Sequence, residues 1–304
     1  MLREILCQMQ AAKRILILDG GTGRELHAIG APFQQPEWSA LALIKAPEFV
    51  TAVHARFVAA GCDVITTNSF AVVPYHLGSA FELRGAELAR LAGVLAREAA
   101  GSALVAGSLP PVAGSYRPEA YDAAESMRVL RILAEAMEPY VDVWLAETMS
   151  CLDETRCAHF VVASMSQKPL WIAFTVDDCN GSLLRSGERV QDAVDAASRW
   201  PGVEAVLFNC STPTAILIAL QSCKDVQAEL PVRLGAYANA FAPRASSTPA
   251  SNAIIQTCNG LSPQDYAEWA QKCVALGCSI VGGCCGVSPD HIASLSAALH
   301  DRES

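Results

Sequence analysis

Charged residues are scarce in this sequence. Only 17 % of the 304 residues are Asp, Glu, Lys or Arg, whereas 52 % are hydrophobic, and intrinsic disorder requires the opposite balance. The 22 Lys and Arg residues are scattered without a run of three, and the formal net charge is −9. Because a nucleic-acid-binding protein carries a basic stripe, we expect neither nucleic acid nor a membrane surface among the partners.

Two kinds of apolar segment are also missing. No stretch of 18 or more apolar residues occurs, so we expect no transmembrane helix. Residues 1–10 lack the long apolar segment of a secretory signal peptide, which predicts a cytoplasmic protein. In that reducing compartment the twelve cysteines should not form disulfides, and most of them are expected to be small buried hydrophobic residues.

What the sequence does contain is an alternation of short apolar runs with segments of helical periodicity. The runs lie at 14–19, 63–67, 103–106, 142–146, 169–175, 203–208, 232–237 and 279–281. The periodic segments lie at 48–60, 83–100, 122–139, 152–164, 189–200, 212–223, 262–276 and 288–299. Apolar strands that alternate with helices indicate a parallel sheet covered on both faces.

Eight such units predict an α/β fold, a (β/α)8 TIM barrel. A doubly wound open sheet is the alternative, but residues 19–23 (DGGTG) do not form the G-x-G-x-x-G fingerprint that often follows its first strand. Without a Gly/Ser linker, residues 1–304 are expected to form a single domain. The Pro- and Ser-rich residues 241–252 predict a long loop on the catalytic face.

Catalytic groups of a barrel lie at the carboxyl ends of its strands, and cysteines follow two of the predicted strands. Cys210 follows the sixth, and Cys284 and Cys285 follow the eighth. Adjacent side chains of a strand point to opposite faces, so the pair converges only on a bent turn, which the flanking glycines permit. Three thiolates leave one position of a tetrahedral Zn²⁺ open. Cadmium, copper(I) and three buried structural cysteines remain the alternatives.

Five segments together resemble the homocysteine S-methyltransferase family. They are DGGTGREL (19–26), ITTNSF (65–70), AET (146–148), FNCS (208–211) and GGCCG (282–286), and they occur in the family's order. The resemblance runs from about residue 14 to 299, and GGCCG with the upstream NC is its most specific part. It implies a homocysteine-binding (β/α)8 barrel whose zinc ion is held by Cys210, Cys284 and Cys285.

The resemblance also implies a methyltransferase of methionine biosynthesis, with homocysteine and a methyl donor as its small-molecule partners. We favour S-methylmethionine as a sulfonium donor because the chain lacks the further modules of cobalamin-dependent methionine synthase and the C-terminal extension of the betaine enzymes. S-adenosylmethionine or betaine as donor, and selenohomocysteine or selenocysteine as acceptor, remain alternatives. A monomer or weak homo-oligomer is expected.

The family's homocysteine-binding residues match positions near the first and fourth strands. Asp19 and Glu147 would hold the substrate ammonium by charge-assisted hydrogen bonds. The backbone amides of the turn at Gly20, Gly21 and Thr22, continuing to residue 23, would form a nest for its carboxylate. No lysine is needed there.

Aromatic residues match the wall that faces the methyl donor. Trp38, and more weakly Phe70, would face the donor's positive charge, a contact that contributes about 0.5–2 kcal/mol. Arg24 stands where the family often has Thr, and its neighbour Glu25 is expected to be its ion-pair partner. Such departures bear on the donor rather than on the cysteines.

Two other functions fit a barrel. A non-catalytic zinc or thiol sensor would keep the cysteines, but it would not need the acids at positions 19 and 147. A lyase that acts on a carbonyl substrate would need a lysine at a strand end, and none of the five lysines lies at a predicted one: they are Lys13, Lys45, Lys168, Lys224 and Lys272.

Overall fold

The computed structural model describes residues 14–227, 230–239 and 261–300, and it contains eight parallel strands. They are β1 (Leu16–Ile17), β2 (Val64–Thr66), β3 (Leu104–Leu109), β4 (Val143–Met149), β5 (Leu170–Phe174), β6 (Val203–Asn209), β7 (Arg233–Ala238) and β8 (Cys278–Gly283). The order in the sheet is β1-β8-β7-β6-β5-β4-β3-β2. The predicted loop at 241–252 lies outside the described residues.

The sheet closes between its first two strands. Leu18 forms a parallel bridge with Val64, and the amide of Asp19 donates to the carbonyl of Val64 at 2.9 Å. The amide of Asp63 donates to the carbonyl of Ile17 at 2.7 Å. These bonds join β1 to β2 and complete the barrel, so the predicted (β/α)8 fold is confirmed.

Eight main helices alternate with the strands and match the predicted segments to within three residues. They are α1 (Pro47–Ala59), α2 (Ala80–Ala100), α3 (Ala123–Met137), α4 (Leu152–Met165), α5 (Val190–Ser198), α6 (Pro213–Ser222), α7 (Pro263–Ala275) and α8 (Pro289–His300). Four begin with proline, which has no amide proton to leave unpaired in the first turn. No helix in the described part of the chain is both long and apolar enough to cross a membrane.

The loops contain shorter helices that the periodicity did not predict. They are Thr22–Ala28, Ala40–Lys45, Pro74–Leu77 and Lys224–Gln227, with 3₁₀ turns at Pro118–Ala120 and Glu138–Tyr140. One or two turns are too short to show a repeat, and packing rather than intrinsic propensity stabilises them.

Several strand ends differ from those predicted. β3 continues to Leu109 and β4 to Met149, beyond the predicted ends at 106 and 146. The apolar pattern stops where polar residues such as Ser108 and Glu147 begin. The pairing of β3 with β4 continues to Leu109, and β4 pairs again with β5 at Met149 after a register shift. Glu147 and Thr148 therefore lie at an irregularity within β4. β1 is shorter than predicted, and the Asp63 carboxylate accepts the amide proton of Ile17 at 2.9 Å.

Two apolar clusters form the core. One fills the barrel and includes Leu16, Val64 and Trp171. The other packs the outer face of the sheet against the helices and includes Trp144 and Phe57. The carboxyl end of the barrel also holds polar side chains, among them Asp19, Thr66 and Glu147.

His54 on α1 predicts an acid-sensitive stability. Its side chain is fully buried, neither ring nitrogen has a hydrogen-bond partner within the described residues, and burial lowers its pKa to about 4. An unfolded histidine has a pKa near 6.5, so between these values only the unfolded chain takes up the proton. We expect this residue to contribute a loss of about 3 kcal/mol in unfolding free energy as the pH falls from 6.5 to 4.

The measurement is urea unfolding of wild type and His54→Leu across that range. Their difference isolates His54 from the carboxyl groups that titrate over the same pH range. Exposed His27, replaced by Gln, serves as the control and should keep the wild-type slope. An equally steep profile for His54→Leu would contradict the assignment.

Candidate metal centre and substrate cavity

A cavity of about 220 Å³ lies at the carboxyl ends of the strands. All ten site residues predicted from the sequence line it: Asp19, Gly20, Gly21, Thr22, Trp38, Phe70, Glu147, Cys210, Cys284 and Cys285. They come from six separate segments of the chain and meet in one space.

The three cysteine sulfurs form a compact cluster. The sulfurs of Cys210, Cys284 and Cys285 all lie within 4.8 Å of one another, close enough for one ion to contact all three. Hydrogen bonds to its two neighbours, together with burial, raise the pKa of the Cys284 thiol well above its usual value. Without a cation, three adjacent thiols cannot all ionise because their negative charges would repel one another. A bound cation stabilises the thiolates and so favours ionisation. This soft, three-sulfur set fits a zinc-like metal with one open position.

A bent turn brings the adjacent cysteines together, as the sequence predicted. β8 ends at Gly283, and the amide of Val287 closes the turn on the carbonyl of Cys284 at 3.0 Å. The turn packs closely against the loop after β1, because a Cβ atom on Gly21 would lie 2.7 Å from the Cys284 carbonyl oxygen. Glycine is therefore needed at position 21 for this close approach.

Cys210 is held in a strained backbone conformation at the end of β6. Its φ is +50°, and Thr148 at the end of β4 has a φ of +62°. Asn209 joins the two sites, since its side chain accepts the amide proton of Thr148 at 3.0 Å and donates to the Thr148 hydroxyl at 2.9 Å. The side-chain amide of Asn209 thus links the end of β6, where Cys210 lies, to Thr148, the residue after Glu147.

Asp19 follows β1, and its buried carboxyl group lines the cavity. Its two oxygens accept the amide and the hydroxyl of Thr66 at 2.8 and 2.9 Å. Burial nevertheless raises its pKa to about 8, with a smaller contribution from the charge of Glu147. Without a ligand, the Asp19 carboxyl group therefore keeps its proton near neutral pH. A cation bound beside it would favour the ionised form.

Glu147 lies within β4 and also faces the cavity. Ser108 donates to one oxygen at 2.5 Å, and the hydroxyl of Tyr237 donates to the other at 3.3 Å. Burial raises its pKa to about 7 against the effect of the Ser108 bond. Two acids that share a buried space and repel each other suit a ligand with an ammonium group.

Fewer backbone amides are available for the substrate carboxylate than the sequence predicted. The amide of Gly21 donates to the carbonyl of Val287 at 2.9 Å, and that of Thr22 donates to the carbonyl of Gly20 at 3.0 Å. Their protons are therefore already used within the protein. Of the predicted nest, the amides of Gly20 and Gly23 are the remaining candidates.

Arg24 and Glu25 do not pair, contrary to the expectation from sequence. Glu25 faces Arg56 at 3.1 Å, whereas Arg24 lines the cavity. Consecutive helical residues point in different directions, which explains the difference. The positive charge of Arg24 helps to lower the pKa of the Cys285 thiol, after the hydrogen bonds from Cys210 and Cys284.

Aromatic rings form the outer wall of the cavity. Trp38 meets Phe33 edge to face, with ring centroids 5.5 Å apart, and Phe70 and Tyr75 also line the space. Trp38 and Phe70 were predicted, whereas Phe33 lies in a loop without a recognisable pattern. The wall offers π faces to a cationic ligand.

Four supporting residues had no role predicted from the sequence: Thr66, Ser108, Tyr116 and Tyr237. Thr66 and Ser108 lie on strands adjacent to the acids that they contact. Their position at strand ends was a usable signal. Tyr116 comes from an irregular loop and contacts Cys210, 94 residues away, and no local pattern predicts such a contact.

Comparison with known proteins decides the family. A family model described as homocysteine S-methyltransferase matches residues 16–299. This chain belongs to the homocysteine S-methyltransferase family. The predicted family and enzyme class are confirmed.

Individual members show the same relation over nearly full length. The chain is 28 % identical to the homocysteine S-methyltransferase of Escherichia coli (strain K12), covering 93 % of this chain and 94 % of that protein. It is 26 % identical to a selenocysteine methyltransferase of Astragalus bisulcatus, covering 97 % and 96 %. The metallated form of the E. coli homocysteine methyltransferase MmuM superposes with a TM-score of 0.78 at 25 % identity, covering 97 % of this chain and 99 % of that chain.

Proposed function

We propose that this homocysteine S-methyltransferase family member transfers a methyl group from S-methylmethionine to the thiol of L-homocysteine, with Zn²⁺ as its metal, and yields methionine. The observation that carries the proposal is the meeting of three thiols and two buried carboxyl groups in one cavity. We further propose that residues 1–304 form one cytoplasmic catalytic domain, a monomer or weak homo-oligomer.

The acceptor would be held at both ends. Cys210, Cys284 and Cys285 would hold the zinc ion, and the ion would lower the pKa of the homocysteine thiol. Asp19 and Glu147 bind and orient the ammonium. The amides of Gly20 and Gly23 bind the carboxylate, so the sulfur points toward the cysteine cluster.

The donor would lie against the aromatic wall. Trp38 and Phe70 face the sulfonium charge, and the apolar wall excludes water. The homocysteine sulfur uses a lone pair to form a bond to the methyl carbon as the bond from that carbon to the donor sulfur breaks. The breaking bond's electron pair remains on the donor sulfur, which becomes a neutral thioether. Opposite charges disappear in this step, so a dry site favours it over water.

A donor panel tests the proposal. Reduced, zinc-loaded protein is given homocysteine with S-methylmethionine, S-adenosylmethionine or betaine in parallel, and methionine formation is followed. We expect turnover with S-methylmethionine. Turnover with only one of the other donors would show that this compound, and not S-methylmethionine, is the methyl donor. Inactivity with all three, in protein that holds about one zinc, would overturn the proposal.

A selenol acceptor deserves a parallel assay because a selenocysteine methyltransferase resembles this chain along its length. Selenocysteine is offered in place of homocysteine with the same donor. A higher kcat/KM for the selenol would reassign the physiological acceptor, whereas the sensor hypothesis predicts turnover with neither.

Ligand binding should strengthen with pH. Burial raises the pKa of Asp19 to about 8 and that of Glu147 to about 7, and a neutral carboxyl group forms no ion pair with an ammonium. We expect affinity for norleucine, which has the ammonium and carboxylate of homocysteine but no thiol, to rise about tenfold from pH 6 to 8. Calorimetry in buffers of different ionisation enthalpy should detect proton release on binding.

The variant Asp19→Asn, which removes one of the two titrating groups, is the control. Its profile should be flatter and its proton release smaller. Affinity that is flat or falls with pH in the wild type would contradict this account.

A further inference from the structure

Tyr116 makes the most direct contact with the cysteine cluster from outside it. The ring lies in the loop after β3 and is only 5 % exposed. Its hydroxyl donates toward both the Cys210 carbonyl oxygen, at 2.9 Å, and the Cys210 Sγ, at 3.0 Å. Its φ of +63° is a strained conformation for an aromatic residue, which persists only where the surroundings impose it.

A buried ion pair lies behind the tyrosine ring. The guanidinium carbon of Arg185 is 4.6 Å from the centre of the Tyr116 ring, and Arg185 pairs with Asp178 at 3.1 Å. Their side chains are 1 % and 2 % exposed. Such a pair gives little net stability against an apolar replacement, so its position beside the cluster calls for another explanation.

The Arg185–Asp178 pair also contacts the backbone just after Cys210. Asp178 accepts the amide proton of Thr212 at 2.8 Å, two residues after the cysteine. Arg185 further donates to the Thr175 hydroxyl at 3.4 Å. The ion pair therefore links the tyrosine ring to the backbone that carries Cys210.

The hydroxyl of Tyr116 lies within hydrogen-bond distance of two atoms of Cys210, the carbonyl oxygen and Sγ. A neutral thiol accepts weakly, so the carbonyl oxygen competes for the proton. A thiolate is an anion, and a charge-assisted bond to it is about twice as strong as a neutral one. Where Cys210 serves as a metal ligand, the Tyr116 hydroxyl would therefore favour Sγ over the carbonyl oxygen.

We propose that Tyr116 is a positioning residue for the Cys210 thiolate, held in place by the buried Arg185–Asp178 pair. The inference rests on the proposed role of the three cysteines as metal ligands. The bond fixes the direction of Cys210 Sγ and withdraws part of its electron density. Both effects would influence how the cysteine cluster holds its metal and how that metal interacts with the substrate sulfur.

Cobalt binding tests the proposal without requiring turnover. Reduced, metal-free wild type, Tyr116→Phe and Tyr121→Phe are titrated with Co²⁺, and the thiolate-to-cobalt charge-transfer band is recorded. Tyr121 is the control because it is a partly buried tyrosine of the same loop that does not line the cavity. Chelator competition gives each Co²⁺ affinity.

We expect Tyr116→Phe to move the band to longer wavelength, since the thiolate becomes more electron-rich, and to weaken Co²⁺ binding about tenfold (about 1.4 kcal/mol). Tyr121→Phe should match the wild type. A double variant, Asp178→Asn with Arg185→Met, should shift the band in the same direction while leaving no unpaired buried charge.

Three outcomes would overturn the proposal. They are an unchanged band and affinity in Tyr116→Phe, equal changes in both tyrosine variants, and a wild type that binds no Co²⁺ through its thiols. The donor panel separates this inference from the proposed function. A shifted band in Tyr116→Phe beside a wild type inactive with every donor would support Tyr116 and reject the methyl transfer.

Discussion

Cys285→Ala is expected to lose bound metal and methyl transfer together while it remains folded. The three sulfurs lie within 4.8 Å of one another, and removal of one leaves two ligands for an ion that prefers four. Cys285 is only partly buried, at the cavity, so the truncation opens little space in the core. We expect metal affinity to fall at least a hundredfold, about 2.7 kcal/mol or more, and turnover to fall to background.

Metal content after dialysis and the rate of methionine formation are measured on the same preparation. Cys179→Ala removes an exposed thiol outside the cavity and should match the wild type in both. Full wild-type activity after complete metal removal would contradict the proposed chemistry, as would a Cys285→Ala protein that retains its metal.

Glu147→Gln is expected to keep the metal and to weaken homocysteine binding. Glutamine preserves the size of the side chain and can still accept the Ser108 hydroxyl, but it has no charge for the substrate ammonium. A hydrogen bond to a charged group contributes about 1.5–3 kcal/mol, which corresponds to roughly a ten- to hundredfold loss of affinity. Binding calorimetry on zinc-loaded protein measures this loss.

Glu154→Gln provides a matched control. Glu154 is also buried, and burial raises its pKa to about 7, but it accepts the amide proton of Ser150 and does not line the cavity. Its homocysteine affinity should equal that of the wild type. Unchanged affinity in Glu147→Gln would refute the assigned role of this carboxyl group.

The arrangement of strands and helices could be predicted from the sequence because its signals are local. Each apolar run and each helical period is contained within about twenty residues, and the helix bounds differ from those predicted by three residues at most. The strand ends were less accurate. Glu147 belongs to β4, whereas the apolar pattern ended at the residue before it, since polarity reports burial in the core and not backbone pairing.

The site was also predictable in part. Ten residues recognised from short motifs line one cavity, because a barrel brings all its strand ends to the same face. The partners of these residues were not predictable. Arg24 was expected beside Glu25, but Glu25 pairs with Arg56, and the Gly21 amide expected to face substrate donates to Val287.

The sequence by itself therefore determined the barrel, its family and the cysteines and acids at the strand ends. These features follow from side-chain type and from the order of short segments along the chain. Only the tertiary structure decided which groups support them: Asn209 against Thr148, Ser108 against Glu147, and Tyr116 with Arg185 against Cys210. Such contacts join residues distant in sequence, and the geometry that makes them exists only after the barrel has closed.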